Sequence, residues 1–137
     1  MIILKPVKKE KSGAFRREWE TFDKEIGINW KERESTIGAF VSNRLAGYAT
    51  LKMAGGVGYV GHLIVAQDFR GKGVGEALMG EAERICRKAG CHKLTVKTTE
   101  KHRAAFGLYK KLGYKTEAKL RKDKFKLTWH LLCKELA

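Results

Sequence analysis

The chain has 137 residues, 43% hydrophobic and 32% charged, with a formal net charge of +14. That length suits one domain with its own core, and the balance of apolar to charged residues excludes a disordered chain. No stretch approaches the roughly 20 apolar residues of a membrane helix, and Met1–Leu4 is too short an apolar start for a secretory leader; a cytoplasmic protein with no membrane partner is expected.

Ile2–Val7 is apolar and β-branched and is expected as an edge strand, where Pro6 is tolerated. Phe15, Trp19, Phe22 and Ile26 then share one face of a helix, with Ser12 as the expected N-cap and Gly27 as the stop. Thr36–Ser42, Leu45–Met53 and Val57–Val65 are β-branched runs parted by Asn43-Arg44 and Ala54-Gly55-Gly56, the pattern of an antiparallel meander. After the polar loop Gln67–Gly73, Val74, Leu78, Ala82 and Ile85 line a second helix that Gly90 ends. Lys93–Thr98 is a strand. Ala105, Leu108, Tyr109 and Leu112 mark a third helix stopped by Gly113, and Tyr114–Leu120 and Phe125–Cys133 are two last strands joined around Arg121–Lys124. The order is β-α-β-β-β-α-β-α-β-β. It predicts an α/β (α+β) single domain over residues 1–137, with a mostly antiparallel mixed sheet flanked by helices.

The charge is uneven, net +4 over residues 1–65 and +10 over 66–137. Such a surface attracts polyanions, and nucleic acid, an acidic protein and a phosphorylated cofactor all qualify. Cys86, Cys91 and Cys133 are an odd and sparse count, which argues against a disulfide framework and fits a reducing compartment. Cys86, Cys91 and His92 fit no compact zinc pattern, so no metal is expected.

The informative segment runs from His62 to Gly75, a strand entering a glycine-rich loop that opens a helix. Glycines let the backbone come close to a ligand, and the free amides of a helix start bind anions. Arg70 and Lys72 add positive charge, so a phosphate or pyrophosphate is the natural guest. A P-loop lacks its Ser or Thr here. A dinucleotide fold lacks its acid within residues 88–97, and the preceding strand is expected in a meander rather than in a parallel unit.

The residues resemble the GNAT N-acetyltransferase superfamily. Arg70, Gly73 and Gly75 match its pyrophosphate signature, with Val65 ending the preceding strand. Ala105, Leu108, Tyr109, Lys111, Gly113 and Tyr114 match its second motif, with His102 where Asn is usual. The resemblance covers nearly the whole chain. It implies coenzyme A, as acetyl-CoA, with the pantetheine arm along Leu63, Ile64 and Val65 and the pyrophosphate on the amides of Gly71, Lys72, Gly73, Val74 and Gly75. It implies Arg70 as a further cofactor contact, His102 as either a cofactor contact or the cap of the helix starting near Arg103, and Tyr109 as the proton donor to the leaving thiolate. His62, on the strand entering the loop where relatives often carry an acid or a water-holding residue, is the candidate base; Gly61 stands where many relatives carry Glu, and ordered water is the alternative. Lys101 and Arg103 are either phosphate contacts or solvated charge.

The acceptor would be a primary amine of a small molecule or protein, bound over the first helix and the last strands. Glu18, Glu20, Asp23 and Glu25 are either a lure for that amine or a solvated helix face. A non-catalytic acyl-CoA-binding module and a basic nucleic-acid-binding protein are the competing readings, and either a monomer or a homodimer is compatible.

Overall fold

The structure is a computed structural model and describes residues 1–136. Two compact units divide it, Met1–Trp30 and the chain from Lys31 onward. In the first, a 3-10 stretch at Lys9–Phe15 leads into helix α1, Arg16–Ile26. The expected strand at Ile2–Val7 does not form. Its pattern was right for a strand, but a strand exists only where another backbone accepts its hydrogen bonds, and Pro6 has no N–H to offer. Ser12 does not cap α1: its Oγ donates to the Lys9 carbonyl at 2.6 Å, inside the 3-10 stretch. Glu18, Glu20 and Glu25 of α1 are exposed and Asp23 is half-buried, and Arg16 pairs with Glu20 at 3.0 Å.

In the second unit, strands β1 (Arg33–Val41), β2 (Arg44–Ala54) and β3 (Val57–Val65) form the meander. Ser42-Asn43 and Gly55-Gly56 make the turns, all four at positive φ, as tight hairpins require. Helix α2 (Val74–Lys88), strand β4 (Lys93–Thr99), helix α3 (Arg103–Lys111) and strands β5 (Lys115–Leu120) and β6 (Trp129–Glu135) follow. A 3-10 turn at Lys124–Lys126 occupies the start of the expected last strand, which begins instead at Trp129. The six-stranded sheet has the order β1-β2-β3-β4-β6-β5. Only β3 and β4 run parallel, so β3, α2 and β4 are a parallel βαβ unit. This corrects the expectation that β3 belongs to the meander alone; what argues against a dinucleotide site is the missing acid.

Leu78, Met79, Ala82 and Cys86 on one face of α2 are buried with Ala49, Leu51, Val60 and Leu94 of the sheet. A Cβ on Gly47 would stand 2.5 Å from the Ile64 carbonyl, so β2 and β3 lie too close there for any side chain. All three helices end in the same way. Gly27, Gly90 and Gly113 stand at φ 71°, 84° and 95°, and the next residue's N–H returns to the carbonyl of Asp23, Cys86 or Tyr109 at 2.8–3.0 Å. This is the Schellman closure, which satisfies carbonyls the helix leaves free and brings the flanking side chains together. Cys86 thereby meets Cys91, and Tyr109 meets Tyr114 edge-on at 6.0 Å. The Cys86 thiol is pushed up to about 12, first by burial and then by Cys91.

The Tyr114 ring is 1% exposed, and among the described residues its hydroxyl has no hydrogen-bond partner. A buried unpaired hydroxyl costs about 1–3 kcal/mol. Tyr114→Phe should therefore raise the urea-unfolding free energy at neutral pH by about 1 kcal/mol or more; a destabilised variant would show that the hydroxyl is satisfied. Burial first, and then the Glu83 carboxylate, raise the Tyr114 pKa. A raised folded pKa gives stability that is present below the unfolded value and lost as pH climbs past it. Wild type should lose stability above pH ~10 more steeply than Tyr114→Phe in the same titration.

Candidate active site

β3 and β4 pair from Val57–Lys93 to Val60–Val96 and then part. The cause lies on the other side of β3. Thr50 faces His62 while Leu51 faces Val60, so Gly61 is an extra residue, a bulge that bends the strand. Beyond it, residues 61–65 of β3 and 97–99 of β4 have no pairing with each other, so that edge of β3 has no strand partner there among the described residues.

The loop after β3 turns through a 3-10 stretch at Gln67–Phe69 and then through Gly71 and Gly73 at φ 75° and 82°. Nothing lies within 4 Å of where a Cβ of either glycine would be, so the backbone there is open to a ligand. Gly73 precedes α2, whose first backbone bond is Ala77 N–H to the Gly73 carbonyl at 3.0 Å. The amides before Ala77 are left for an anion, with the helix dipole behind them. Gly75 serves packing: its Cβ would meet Leu108 of α3 at 3.1 Å.

These elements enclose a cavity of about 530 Å³, within the range of cofactor sites. Of the expected cofactor residues, Leu63, Ile64, Val65, Arg70, Gly71, Gly73, Val74 and Gly75 line it. Lys72 does not; its ammonium lies 5.7 Å from the centre of the Phe69 ring, on which the Arg44 guanidinium also stacks at 5.1 Å. His102 does not line the cavity either. It stands at the N-cap of α3 without a side-chain cap bond, and its ring meets Trp129 edge-on at 6.4 Å. Arg70 turns inward, its Nε donating to the Val65 carbonyl at 3.1 Å, so it latches the loop to the end of β3.

Phe69, Glu76, Ala104 and Lys111 also line the cavity and were missed. An apolar residue inside a polar loop was the available signal for Phe69, which is 8% exposed. Lys111 belongs to the second matched motif, while nothing local marks Glu76; the two pair across α2 and α3 at 3.6 Å.

Tyr109 is buried on α3, outside the cavity lining, with its hydroxyl pushed up to about 12 by burial first and by Tyr59 second. His62 is exposed on β3. The Thr50 Oγ1 accepts its backbone N–H at 2.9 Å and lies 3.2 Å from its Nδ1. Val65, three residues on, packs near Gly75 of α2. Alternation along the strand and the side of Leu63 therefore put His62 on the sheet face opposite α2 and α3.

The Acetyltransferase (GNAT) family model matches residues 4–114. The chain belongs to the GNAT acetyltransferase family. An acetyltransferase of Yersinia enterocolitica is 36% identical over 80 residues, covering 58% of this chain and 53% of that protein. An N-alpha-acetyltransferase of Arabidopsis thaliana is 30% identical over 57 residues, covering 42% of this chain and 30% of its own length. The alignment therefore spans about half the length of the Yersinia relative and less of the plant one. In fold, the crystal structure of an acetyltransferase from Bacillus cereus superposes with a TM-score of 0.80 at 18% identity, over 98% of both chains. The parted strands and the open glycine loop of this GNAT chain suit an elongated thiol cofactor with a phosphorylated end.

Gly73→Val tests the loop. Valine at φ 82° is strained by about 1–2 kcal/mol, and its branches enter the open space before the helix amides. Coenzyme A affinity by calorimetry should fall at least about tenfold in a variant that still melts cooperatively. Unchanged affinity would place the phosphates elsewhere.

Proposed function

We propose that this protein is an acyl-CoA-dependent N-acyltransferase that carries an acetyl group from acetyl-CoA to a primary amine, with residues 1–137 acting as one catalytic domain. The observation that carries the reading is the parting of β3 from β4 beside the open amides of α2, in one cavity lined by the matched motif residues. The family match from residue 4 supports counting the N-terminal helix with the domain. An amine acceptor accords with the plant relative, named an N-alpha-acetyltransferase. A cytoplasmic setting accords with three unbridged cysteines.

The thioester of the cofactor supplies the activated acyl group. The free edge of β3 at Leu63–Val65 binds the amides of the pantetheine arm as a neighbouring strand would. The amides before Ala77 hold the pyrophosphate, and Lys72 adds charge at the rim. His62 takes the proton of the attacking amine. In the tautomer suited to this, Nδ1–H donates to Thr50 Oγ1 and Nε2 is free. Tyr109 would donate a hydrogen bond to the departing sulfur from the α3 side. A phenol at about 12 is a weaker acid than a thiol near ~8.5, so its part is a hydrogen bond to the developing thiolate rather than a completed transfer.

Saturating acetyl-CoA should raise the melting temperature, since a ligand at ~100 times its Kd adds about 2.7 kcal/mol; a shift with NAD alone would overturn the cofactor assignment. Tyr109→Phe keeps the ring and its packing but loses the donor. The expected result is a kcat lower by roughly 10²-fold with coenzyme A affinity retained. Wild-type kcat with chemistry rate-limiting would leave Tyr109 a packing residue. Because the Tyr109 hydroxyl ionises only near about 12, kcat should show no alkaline fall from this group between pH 8 and 10.

A further inference from the structure

His130 of β6 is 3% exposed, and no step of the transfer uses it. β6 lies between β4 and β5, and His130 stands opposite Thr98, which is also buried. Alternation puts both on the α3 face of the sheet and Lys97 on the other, the face that carries His62. There the His130 ring meets Phe106 of α3 edge-on at 4.9 Å. Its Nδ1 lies 3.1 Å from Thr116 Oγ1 of β5, and that oxygen lies 3.2 Å from Lys110 Nζ of α3. On its other side Nε2 lies 2.9 Å from Glu100 Oε1, in the turn between β4 and α3.

The partners fix the proton. An ammonium only donates, so Lys110 gives a hydrogen bond to Thr116, and the Thr116 hydroxyl donates in turn to Nδ1. The neutral imidazole then carries its hydrogen on Nε2, toward the Glu100 carboxylate. The opposite tautomer would turn a lone pair toward that carboxylate. The contact with Glu100 is close but off the line of the N–H, and Nε2 has no hydrogen bond among the described residues.

α3 needs such a hold. It has nine residues, of which only Tyr109 is buried, and a helix this short depends on tertiary contacts. Yet Ala104, Ala105, Leu108 and Lys111 of this helix line the cavity, and Tyr109 is the candidate donor. His130 reaches α3 at three levels: the turn before it through Glu100, its middle through Phe106, and its last turn through Thr116 and Lys110. Lys110 closes the circuit, because its ammonium also lies 5.4 Å from the centre of the Phe106 ring. His130 itself is fixed, since β6 is paired with β4 on one edge and β5 on the other. A ring fixed in the sheet and in contact with the helix along its length sets where the helix sits.

We propose that His130 is a positioning residue for acyl transfer. Through Glu100, Phe106 and the Thr116–Lys110 bridge it holds α3, and with it Tyr109 and the helical wall of the cavity, against the gap between β3 and β4. His130 does not line the cavity, so it acts through the helix. This rests on the N-acyltransferase reading and on the part given there to Tyr109. A misplacement of about 1 Å costs a reacting group up to ~10²-fold in rate, so a shift of α3 too small to unfold it is felt in kcat.

The test compares wild type, H130F, T116V, Y109F and Y109F/H130F as full chains. His130→Phe keeps a ring against Phe106 and removes both nitrogens. Thr116→Val keeps the shape and breaks the bridge to Lys110. Spermidine and a short synthetic peptide with a free α-amine are the probe acceptors. Release of free thiol from acetyl-CoA is followed well below each melting temperature, with active sites counted by coenzyme A calorimetry. H130F should lower kcat per site at least about tenfold and T116V about threefold, with KM for the amine unchanged. Coenzyme A should bind H130F at least about threefold more weakly, because the helical wall has moved. In the Y109F background H130F should lower kcat by less than about twofold, since both changes remove the same effect. A merely structural histidine gives a lower melting temperature with wild-type kcat per site, and that result would overturn the proposal. So would an equal loss in both backgrounds, which would mean that His130 acts elsewhere. Should H130F fail to fold, T116V alone decides, and a wild-type kcat in T116V overturns the proposal. If Y109F itself has wild-type kcat, the coenzyme A dissociation constant decides: weakened in H130F, the hold on α3 stands; unchanged, it falls. If wild type acetylates neither amine, the N-acyltransferase reading loses its support, and the same dissociation constant decides for His130.

Discussion

From His62 to Val65 the third strand has pairing on one edge only, toward β2, while β4 has turned away after Val96. Backbone N–H and C=O groups that leave a sheet must find partners elsewhere, and at a strand edge they find another extended chain or a ligand shaped like one. The opening is stable because the groups on both sides of it are held. The bulge at Gly61 is locked by the Thr50 hydroxyl accepting the His62 N–H, and β4 is fixed through Thr99 by seven residue pairs with β6. Each feature of the site is placed relative to this gap: the loop and helix start at its end, α3 on one face, His62 and Lys97 on the other.

The helix ends do related work. α2 and α3 both finish in a glycine closure whose side-chain contact places a particular residue, Cys86 against Cys91 and Tyr109 against Tyr114. The closure fixes Tyr109 at the last turn of α3, where burial raises its hydroxyl and keeps the phenol neutral. Glu83, buried between α2 and the sheet, takes Lys134 at 2.6 Å, and that lysine in turn lies over the Tyr114 ring. The charge of Lys134 thus ties β6 to α2 around the ring that supports Tyr109.

A net charge of +14 says little until the pairs are removed from it. Lys93 with Glu117, Lys97 with Asp123, Lys111 with Glu76 and Lys134 with Glu83 consume acids in the basic half of the chain. Exposed pairs among these add little stability. Their effect is to sort the surface, leaving Arg121, Lys122, Lys124 and Lys126 between β5 and β6 without an ion-pair partner among the described residues.

The sequence by itself determined the helical faces, the meander, the glycine stops and the glycine loop. All of these are local: periodicity and φ preference are written within a few residues of where they act. That is why Gly27, Gly90 and Gly113, and Gly71 and Gly73, stand where their neighbours implied. Ile2–Val7 shows the limit, since its residues favour a strand but no pattern in them names a partner backbone. The parallel pairing of β3 with β4, its end at Val60, the inward turn of Arg70 onto Val65 and the burial of Phe69 between Arg44 and Lys72 were decided only in three dimensions. So was the grip of Lys97 on Asp123, 26 residues away. Each joins groups far apart in the chain, and what decides it is which backbone edge and which opposite charge the packed sheet brings within reach.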